Sequence, residues 1–350
     1  MTGTYLTLGP QGFGPYDVEI GEGSARLSPS SDRAELTLVP GFVDIHIHGA
    51  FGIDFMSATR EQMLSLCGQL GDIGYETFLP TTVTATLDDV RAALANLPDH
   101  PMVGGFHLEG PFISPKHPGA QPQDKIVDPA TAQEEWREVL EDERLRVVTM
   151  APEVPGALDL ARFLSARGVI VSMGHTDATF AQAGEGFDAG AQHTTHTYNA
   201  MRGLHHREAG TVGYALMNDA VRCELIYDRH HVSREAAGLL FRSKPAGGVV
   251  AVSDSTMATG MAEGQTMTMW GLDVVTAPGE VRLASNGALA GSAITLLDAF
   301  RTLAEDFGPE VAMRACCLNP RQALRRLEPP TRHTVLDAHY EIVETFSSSG

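Results

Sequence analysis

The sequence predicts a (β/α)8 barrel with a small β appendage formed by the two chain termini. From residue 40 onward, short β-rich runs alternate with helical patterns, which is typical of parallel βαβ construction. There are eight such runs, the number of strands that closes this type of barrel: Gly41–His48, Thr77–Thr84, Met102–Glu109, Leu145–Met150, Val169–Gly174, His193–His196, Arg222–Asp228 and Gly248–Asp254.

The helices between these strands are predicted from apolar periodicity. In Gly156–Arg167, for example, apolar side chains recur every three or four residues and share one helical face. After the eighth strand, a hairpin-like segment over Met267–Leu289 interrupts the alternation. Two further helices, Ile294–Phe307 and Glu310–Leu324, are expected to close the barrel.

The two chain termini do not follow the βα alternation. Residues 1–38 are rich in Gly, Ser and Thr, and residues 332–350 contain a further strand-like stretch. We therefore expect strands from both ends to pair into the β appendage, beside a catalytic barrel over residues 39–331.

The composition indicates a large acidic protein. Its 350 residues carry 25 Lys and Arg against 44 Asp and Glu, a formal net charge of −19, which disfavours nucleic acid and anionic membranes as partners. The four cysteines have no metal-site or disulfide spacing, and neither a signal peptide nor a membrane span is recognisable, so we expect a soluble cytoplasmic protein. An anionic substrate would need local positive charge from a few Arg or His side chains or from metal ions.

The first predicted strand carries two histidines at alternate positions, His46 and His48. Side chains two residues apart on a strand point to the same face, so both imidazoles can bind one metal ion. A chance His-x-His on a half-exposed strand explains this pair equally well. The rest of the sequence has to decide between the two interpretations.

Four other predicted strands end in residues that bind metals or transfer protons, namely Glu109, His175, His196 and Asp254. Each has an ordinary alternative: a salt-bridged or capping Glu, a core or loop histidine, or a helix N-cap at Asp254. Active sites of such barrels lie at the carboxyl ends of the strands. Together with the His46 strand, five such strand ends predict a metal-dependent catalytic site.

The motifs that contain these residues resemble those of one enzyme family. The run Pro40–Gly49 is similar to the first-strand signature of the amidohydrolase superfamily, which implies a barrel of the metal-dependent amidohydrolase type. Between about residues 40 and 322, five further motifs resemble in order and spacing the N-acetylglucosamine-6-phosphate deacetylases: His107-Leu-Glu-Gly-Pro-Phe112, Gly174-His-Thr176, Thr195-His-Thr-Tyr-Asn-Ala-Met201, His206-Arg-Glu-Ala-Gly210 and Leu289-Ala-Gly-Ser292.

The resemblance implies the metal ligands. Glu109, His175 and His196 would hold the principal divalent ion, with Glu109 in place of a carbamylated lysine. Because the chain also has His46 and His48, we expect one or two ions per subunit. Zinc is the expected metal, with iron, manganese and cobalt as alternatives.

The resemblance also assigns residues to an amino-sugar phosphate substrate. The expected substrate-binding residues are Ala120, Gln121, Asn199, Ala200, His206, Arg207, Asp228, His231, Leu289, Ala290 and Gly291. Arg207 would reach the phosphate from a neighbouring subunit, assisted by His206 or His231. This role implies a homodimer or a higher homo-oligomer.

The reaction implied is hydrolysis of N-acetyl-D-glucosamine 6-phosphate to D-glucosamine 6-phosphate and acetate, a step of amino-sugar catabolism. An acetamide is a poor electrophile, so Asp254 is expected to take a proton from the attacking water and to deliver it to the leaving nitrogen.

Three alternatives stay open: the N-acetylgalactosamine 6-phosphate epimer as substrate, a cyclic-amide or nucleobase amidohydrolase of the same fold, and a non-catalytic sugar-phosphate sensor. The lack of a strand-end lysine suited to carbamylation and the presence of Arg207 disfavour the second. The presence of Asp254 disfavours the third.

Overall fold

The structure, a computed structural model, describes residues 1–21, 24–326 and 328–347. Its centre is an eight-stranded parallel sheet in which strands that follow one another in the chain are also neighbours in space. Barrel strands one to eight are Phe42–Ile47, Tyr75–Thr82, Phe106–Glu109, Leu145–Met150, Ile170–Met173, Ala191–Thr194, Arg222–Leu225 and Val249–Ala251.

Two backbone hydrogen bonds join the residues that follow strand eight to strand one. The His48 amide donates to the Ser255 carbonyl, and the Asp254 amide donates to the His46 carbonyl, both at 2.9 Å. The predicted (β/α)8 barrel is therefore confirmed, and each of the eight predicted strands overlaps an observed one.

Helices surround the barrel and bury their apolar faces against it. The longer helices are Arg60–Asp72, Leu87–Ala95, Ala157–Ala166, Phe180–Asp188, Gly210–Met217, Arg234–Ser243 and Leu296–Phe307. Shorter helical turns are Gln123–Lys125, Pro129–Ala132, Arg137–Leu140, Pro309–Met313, Arg314–Leu318 and Asn319–Ala323. Among the described residues, no helix combines the length and the apolar character needed to cross a bilayer.

The helical segment predicted over Glu310–Leu324 is not one regular α-helix. A wider π-helical turn, Arg314–Leu318, separates two short α-helical pieces. Pro320 follows this turn and has no amide hydrogen to donate to the preceding carbonyls, which disfavours a continuous α-helical ladder here.

Strands from both chain termini form one six-stranded sheet. In spatial order its strands are Ile342–Ser347, Arg332–Leu336, Thr37–Pro40, Thr2–Gly9, Gly12–Gly21 and Ser24–Pro29. Tyr16, Val18, Ile20, Leu38 and Val335 form its buried core. The third of these strands leads through Gly41 directly into barrel strand one, so the sheet and the barrel are joined by a short connection.

The segment after barrel strand eight is larger than the predicted hairpin. It forms a four-stranded antiparallel sheet, here called the insert: Thr266–Met269, Leu272–Ala277, Glu280–Leu283 and Leu289–Ser292. A smaller two-stranded ribbon, Gly49–Ala50 with Ile53–Asp54, follows barrel strand one. The insert lies over the carboxyl ends of the first strands and contributes Trp270, Leu289 and Gly291 to the cleft described below.

Candidate active site

Two groups of buried, metal-competent side chains lie at the carboxyl ends of the barrel strands. In each group the three candidate ligand atoms lie within 4.8 Å of one another. We call them the Glu109 cluster, which is Glu109, His175 and His196, and the Asp254 cluster, which is His46, His48 and Asp254.

The Glu109 cluster is built from strands three, five and six. Oε1 of Glu109 lies 3.2 Å from Nε2 of His175 and 3.1 Å from Nε2 of His196. The two Nε2 atoms are 3.2 Å apart. All three side chains therefore converge on one point.

The Asp254 cluster is built from strands one and eight, and Glu109 borders it as well. Oδ1 of Asp254 lies 3.4 Å from Nε2 of His46 and 3.2 Å from Nε2 of His48. Glu109 Oε1 is 3.4 Å from His46 Nε2, and Glu109 Oε2 is 3.2 Å from His48 Nε2. One carboxylate thus stands between the two clusters.

This donor set fits divalent metal ions. No Lys or Arg among the described residues forms an ion pair with either Glu109 or Asp254. Burial favours the neutral imidazole of His48, but the Asp254 and Glu109 carboxylates outweigh it and raise the pKa of His48 to about 9. Buried negative charge surrounded by imidazole nitrogens is the environment in which zinc and similar ions bind.

Three of these residues have a strained backbone just beyond their strands. His175, His196 and Asp254 have φ values of 49°, 29° and 48°, in the left-handed region that non-glycine residues rarely adopt. Such a backbone cannot continue a strand, which explains why strands six and eight end two and three residues earlier than predicted. Strain of this kind concentrates at functional sites.

Backbone carbonyls orient two of the four imidazoles. Nδ1 of His48 is 3.1 Å from the Thr81 carbonyl, and Nδ1 of His175 is 3.0 Å from the His117 carbonyl. Because a carbonyl can only accept, Nδ1 carries the hydrogen in both rings. The Nε2 lone pair is left to face the cluster, as metal coordination requires.

Gln121, predicted to border the substrate, also fixes Glu109. Its Nε2 donates to Glu109 Oε2 at 2.6 Å, and its Oε1 accepts from the Thr84 amide at 2.7 Å. The Glu109 carboxylate is therefore held by a side chain that the Thr84 backbone fixes in turn. This second role was not predicted.

A polar layer centred on Glu224, which was not predicted, lies beneath the clusters. Oε2 of this fully buried carboxylate lies 3.7 Å from Nδ1 of His46, and Oε1 lies 3.3 Å from Nδ1 of His193. Burial opposes ionisation, but His193 and His46 outweigh it and hold the pKa of Glu224 well below its usual range. A carboxylate inside the predicted barrel strand Arg222–Asp228 was the available signal.

The clusters lie on the floor of a cleft of about 650 Å³. It is lined by His48, Glu109, Gly119, Ala120, Gln121, His175, His196, Asn199, Ala200, His231, Asp254, Trp270, Leu289 and Gly291. Twelve of the predicted metal, catalytic and substrate residues are thereby placed around one space large enough for a sugar, among them Leu289 and Gly291 of the insert. Gly119 and Trp270 were not predicted.

Four of the predicted substrate residues do not line this cleft. Ala290 packs in the core of the insert. Asp228 lies behind His231, whose Nδ1 is 2.6 Å from the Asp228 Oδ2. His206 and Arg207 are exposed, with 2.8 Å between Arg207 Nη1 and His206 Nε2.

Comparisons with known proteins agree with this geometry. The profile of the amidohydrolase family matches residues 37–327. N-acetylglucosamine-6-phosphate deacetylase of Lysinibacillus sphaericus is 39% identical over 274 residues, which cover 76% of this chain and 70% of the relative. N-acetylgalactosamine-6-phosphate deacetylase of Escherichia coli O157:H7 is 37% identical over 307 residues, 85% of this chain and 80% of the relative.

A solved structure is similar over nearly the whole chain. It is a mutant N-acetyl-D-glucosamine-6-phosphate deacetylase from Mycobacterium smegmatis in complex with N-acetyl-D-glucosamine-6-phosphate. The TM-score is 0.87 at 28% identity, and the match covers 97% of this chain and 94% of that chain.

Proposed function

The chain belongs to the amidohydrolase family, and from this we propose that it hydrolyses N-acetyl-D-glucosamine 6-phosphate to D-glucosamine 6-phosphate and acetate. The observation that carries the proposal is Asp254, a carboxylate at the end of strand eight that faces the same cleft as the Glu109 cluster. The protein would act in amino-sugar metabolism, and we infer a cytoplasmic location for it.

The chain's own residues supply the proton transfers. Glu109, His175 and His196 would hold one divalent ion, and His46 and His48 would hold a second; bound there, these ions would supply Lewis acidity and activate water. Asp254 accepts the proton of the attacking water. It then delivers that proton to the amide nitrogen, which leaves as an amine, so one carboxylate acts as both base and acid.

The sugar is proposed to occupy the flank of the cleft formed after strands six and seven. Asn199, Ala200 and His231 line this flank, and Asp228 fixes the His231 ring through its Nδ1. With Nδ1 engaged in this way, His231 Nε2 is left to bond a sugar hydroxyl or the phosphate.

The phosphate needs a cation that this subunit's own cleft does not supply. Among the described residues, no Lys or Arg lines the cleft, and Arg207 with His206 is exposed beyond its rim. We propose that these two residues bind the phosphate in the cleft of a partner subunit through charge-assisted hydrogen bonds. The protein is accordingly a homodimer or a higher homo-oligomer.

Zinc is the metal we propose for the Glu109 cluster, because a buried His/carboxylate set suits it. The same donors bind iron, manganese and cobalt, and the choice among them depends on supply. A carbamylated lysine plays no part, since the three lysines of the chain, Lys116, Lys125 and Lys244, all lie outside both clusters. This distinguishes the site from one for cyclic amides built around such a lysine.

Acetate release from a panel of substrates tests the function. N-acetylglucosamine 6-phosphate, its galactosamine epimer, unphosphorylated N-acetylglucosamine and a cyclic amide would be compared, after elemental analysis of the protein. We expect the highest kcat/KM for the first. The 37% identity to a galactosamine-type deacetylase makes the epimer the second candidate, and preferential turnover of the cyclic amide would contradict the proposal.

A further inference from the structure

Trp270 separates the catalytic cleft from a second, larger groove. This groove, of about 1920 Å³, lies over the carboxyl ends of barrel strands one to three, beneath the insert. Trp270, Gly119, Ala120 and Gln121 line both spaces. Since Gln121 is bonded to Glu109 and the other two are small, the Trp270 indole is the bulky part of the partition.

The backbone at Trp270 is unusual for so large a side chain. Trp270 and Gly271 form the two-residue turn between the first two strands of the insert, with φ values of 53° and 80°. Hairpin turns with two positive φ values favour Asn-Gly or Gly-Gly, and an aromatic residue in this conformation is rare. The strain indicates that the indole is kept for a reason other than the turn.

The indole is also held firmly in place. Its ring packs edge-on against the His48 imidazole, with 5.1 Å between the ring centroids and an interplanar angle of 65°. Its Nε1 is buried and lies beside the carboxylate of Asp54. The ring therefore closes the His48 side of the cleft as a fixed apolar wall.

The chemistry of an N-acyl amino sugar determines which group meets this wall. The scissile carbonyl must lie over the two clusters, with the sugar on one side and the acyl chain on the other. Under the function proposed above, the sugar occupies the flank formed by Asn199 and His231, after strands six and seven. The acyl group then points across the barrel toward His48 and Trp270.

We infer that Trp270 is the wall of the acyl pocket and limits the substrate to short N-acyl groups, and that the groove behind it accepts a longer acyl chain once the indole is removed. This inference rests on the proposed function. The groove offers contacts to an alkyl chain because apolar side chains form part of its otherwise polar lining, namely Met56, Val83, Met257, Leu272 and Leu283.

The test compares N-acetyl- with N-butanoyl-glucosamine 6-phosphate in wild-type protein, Trp270→Gly and Trp270→Phe. Glycine suits the left-handed backbone at this turn, and Phe keeps a ring there as the matched control. One methylene is worth about 10- to 200-fold in an apolar pocket, so Trp270→Gly should raise the butanoyl-to-acetyl ratio of kcat/KM by at least about 10-fold. The Phe variant should stay near the wild-type ratio.

This ratio does not depend on the fraction of folded protein, because both substrates are assayed with the same enzyme preparation. An unchanged ratio in Trp270→Gly overturns the inference, as does equal turnover of both substrates by the wild type. If the variant lost both activities and also its bound metal, Trp270 would only support His48, and the inference would be wrong. Absence of acetate release by the wild type would instead contradict the proposed function.

A binding measurement tests the wall without turnover. The chain has two tryptophans, so Trp136→Phe leaves Trp270 as the single indole emitter. In a Trp136→Phe, Asp254→Asn protein, N-acetylglucosamine 6-phosphate should change the emission of Trp270 more than glucosamine 6-phosphate, which lacks the acyl group. Equal changes with both ligands would place the acyl chain elsewhere and overturn the inference.

Discussion

The Glu109 cluster and the Asp254 cluster contain the same kinds of side chain, yet their carboxylates are held very differently. Glu109 is bonded by Gln121 at 2.6 Å, and its side chain is 2% exposed. The Asp254 carboxylate forms ion pairs only with His46 and His48 among the described residues, and its side chain is 10% exposed. Under the proposed function, the first carboxylate is immobilised as a ligand, whereas the second is free to exchange protons.

This difference assigns separate tasks to the two clusters. A ligand must keep one position and one protonation state, which rigid outer contacts ensure. A general acid and base must accept and release a proton within one turnover, so outer hydrogen bonds that fix its protonation would oppose it. The clusters should therefore respond differently to substitution.

The largest effect is expected from the Glu109 cluster. The double change His175→Ala, His196→Ala leaves Glu109 as the single ligand of the cluster, so the principal ion should be lost and turnover should fall below detection. Elemental analysis and acetate release measure the two outcomes. Full metal occupancy in this protein would show that the ion binds elsewhere.

The next effect is expected from the Asp254 cluster. Asp254→Asn keeps the size of the side chain but cannot accept a proton. A general base contributes about 10²- to 10⁴-fold, so kcat should fall by that much or more. Metal content and substrate binding should remain near wild type, because the loss is confined to the transition state. A variant with more than about a tenth of the wild-type kcat would contradict the separation of tasks.

A residue outside both clusters sharpens the comparison. Arg207→Ala removes a charge-assisted hydrogen bond, worth about 1.5–3 kcal/mol, so KM for the phosphorylated sugar should rise by roughly 10- to 100-fold. Metal content and the pH profile of kcat should not change. The unphosphorylated sugar is the control, and an equal loss with both sugars would mean that Arg207 supports structure only.

The barrel and the strand-end positions of the site residues could be predicted from the sequence because strand ends are local signals, whereas the division of these residues into ligand sets was implied only by the family resemblance. An apolar run that stops at Glu109 or Asp254 marks the place where a parallel strand meets the catalytic face, without knowledge of any contact. The bond of Gln121 to Glu109 and the roles of Glu224 and Trp270 were not predicted. Each depends on a partner far away in the chain, such as Glu109 for Gln121 and His48 for Trp270, and no periodic pattern connects such pairs.

The insert is a second region where sequence patterns did not predict contacts between distant residues. A hairpin was predicted over Met267–Leu289, and the structure contains four strands that end at Ser292. The last strand, Leu289–Ser292, contains small residues and a glycine with φ of 63°, so its alternation is too weak to indicate a strand. It forms by pairing with Glu280–Leu283 and through Ser292, whose Oγ donates to the Ser253 carbonyl at 2.6 Å.

The smallest effect is expected from Glu224, which lies beneath the clusters and contacts a ligand of the Asp254 cluster only. Its carboxylate lies 3.7 Å from the Nδ1 of His46. The imidazoles of the Glu109 cluster have no carboxylate at Nδ1: His175 Nδ1 bonds a backbone carbonyl, and His196 Nδ1 is unpaired among the described residues. Glu224→Gln keeps the shape and removes the charge, so it should weaken the second ion, held by His46 and His48, by about 10- to 100-fold, as changes behind a metal ligand typically do. The principal ion should remain.

Stepwise dialysis against a weak chelator, followed by elemental analysis, would count the ions retained, with His46→Asn as the reference for loss of the second ion. If Glu224→Gln released the principal ion first, the two clusters would share one support, and the division of tasks between Glu109 and Asp254 would have to be abandoned.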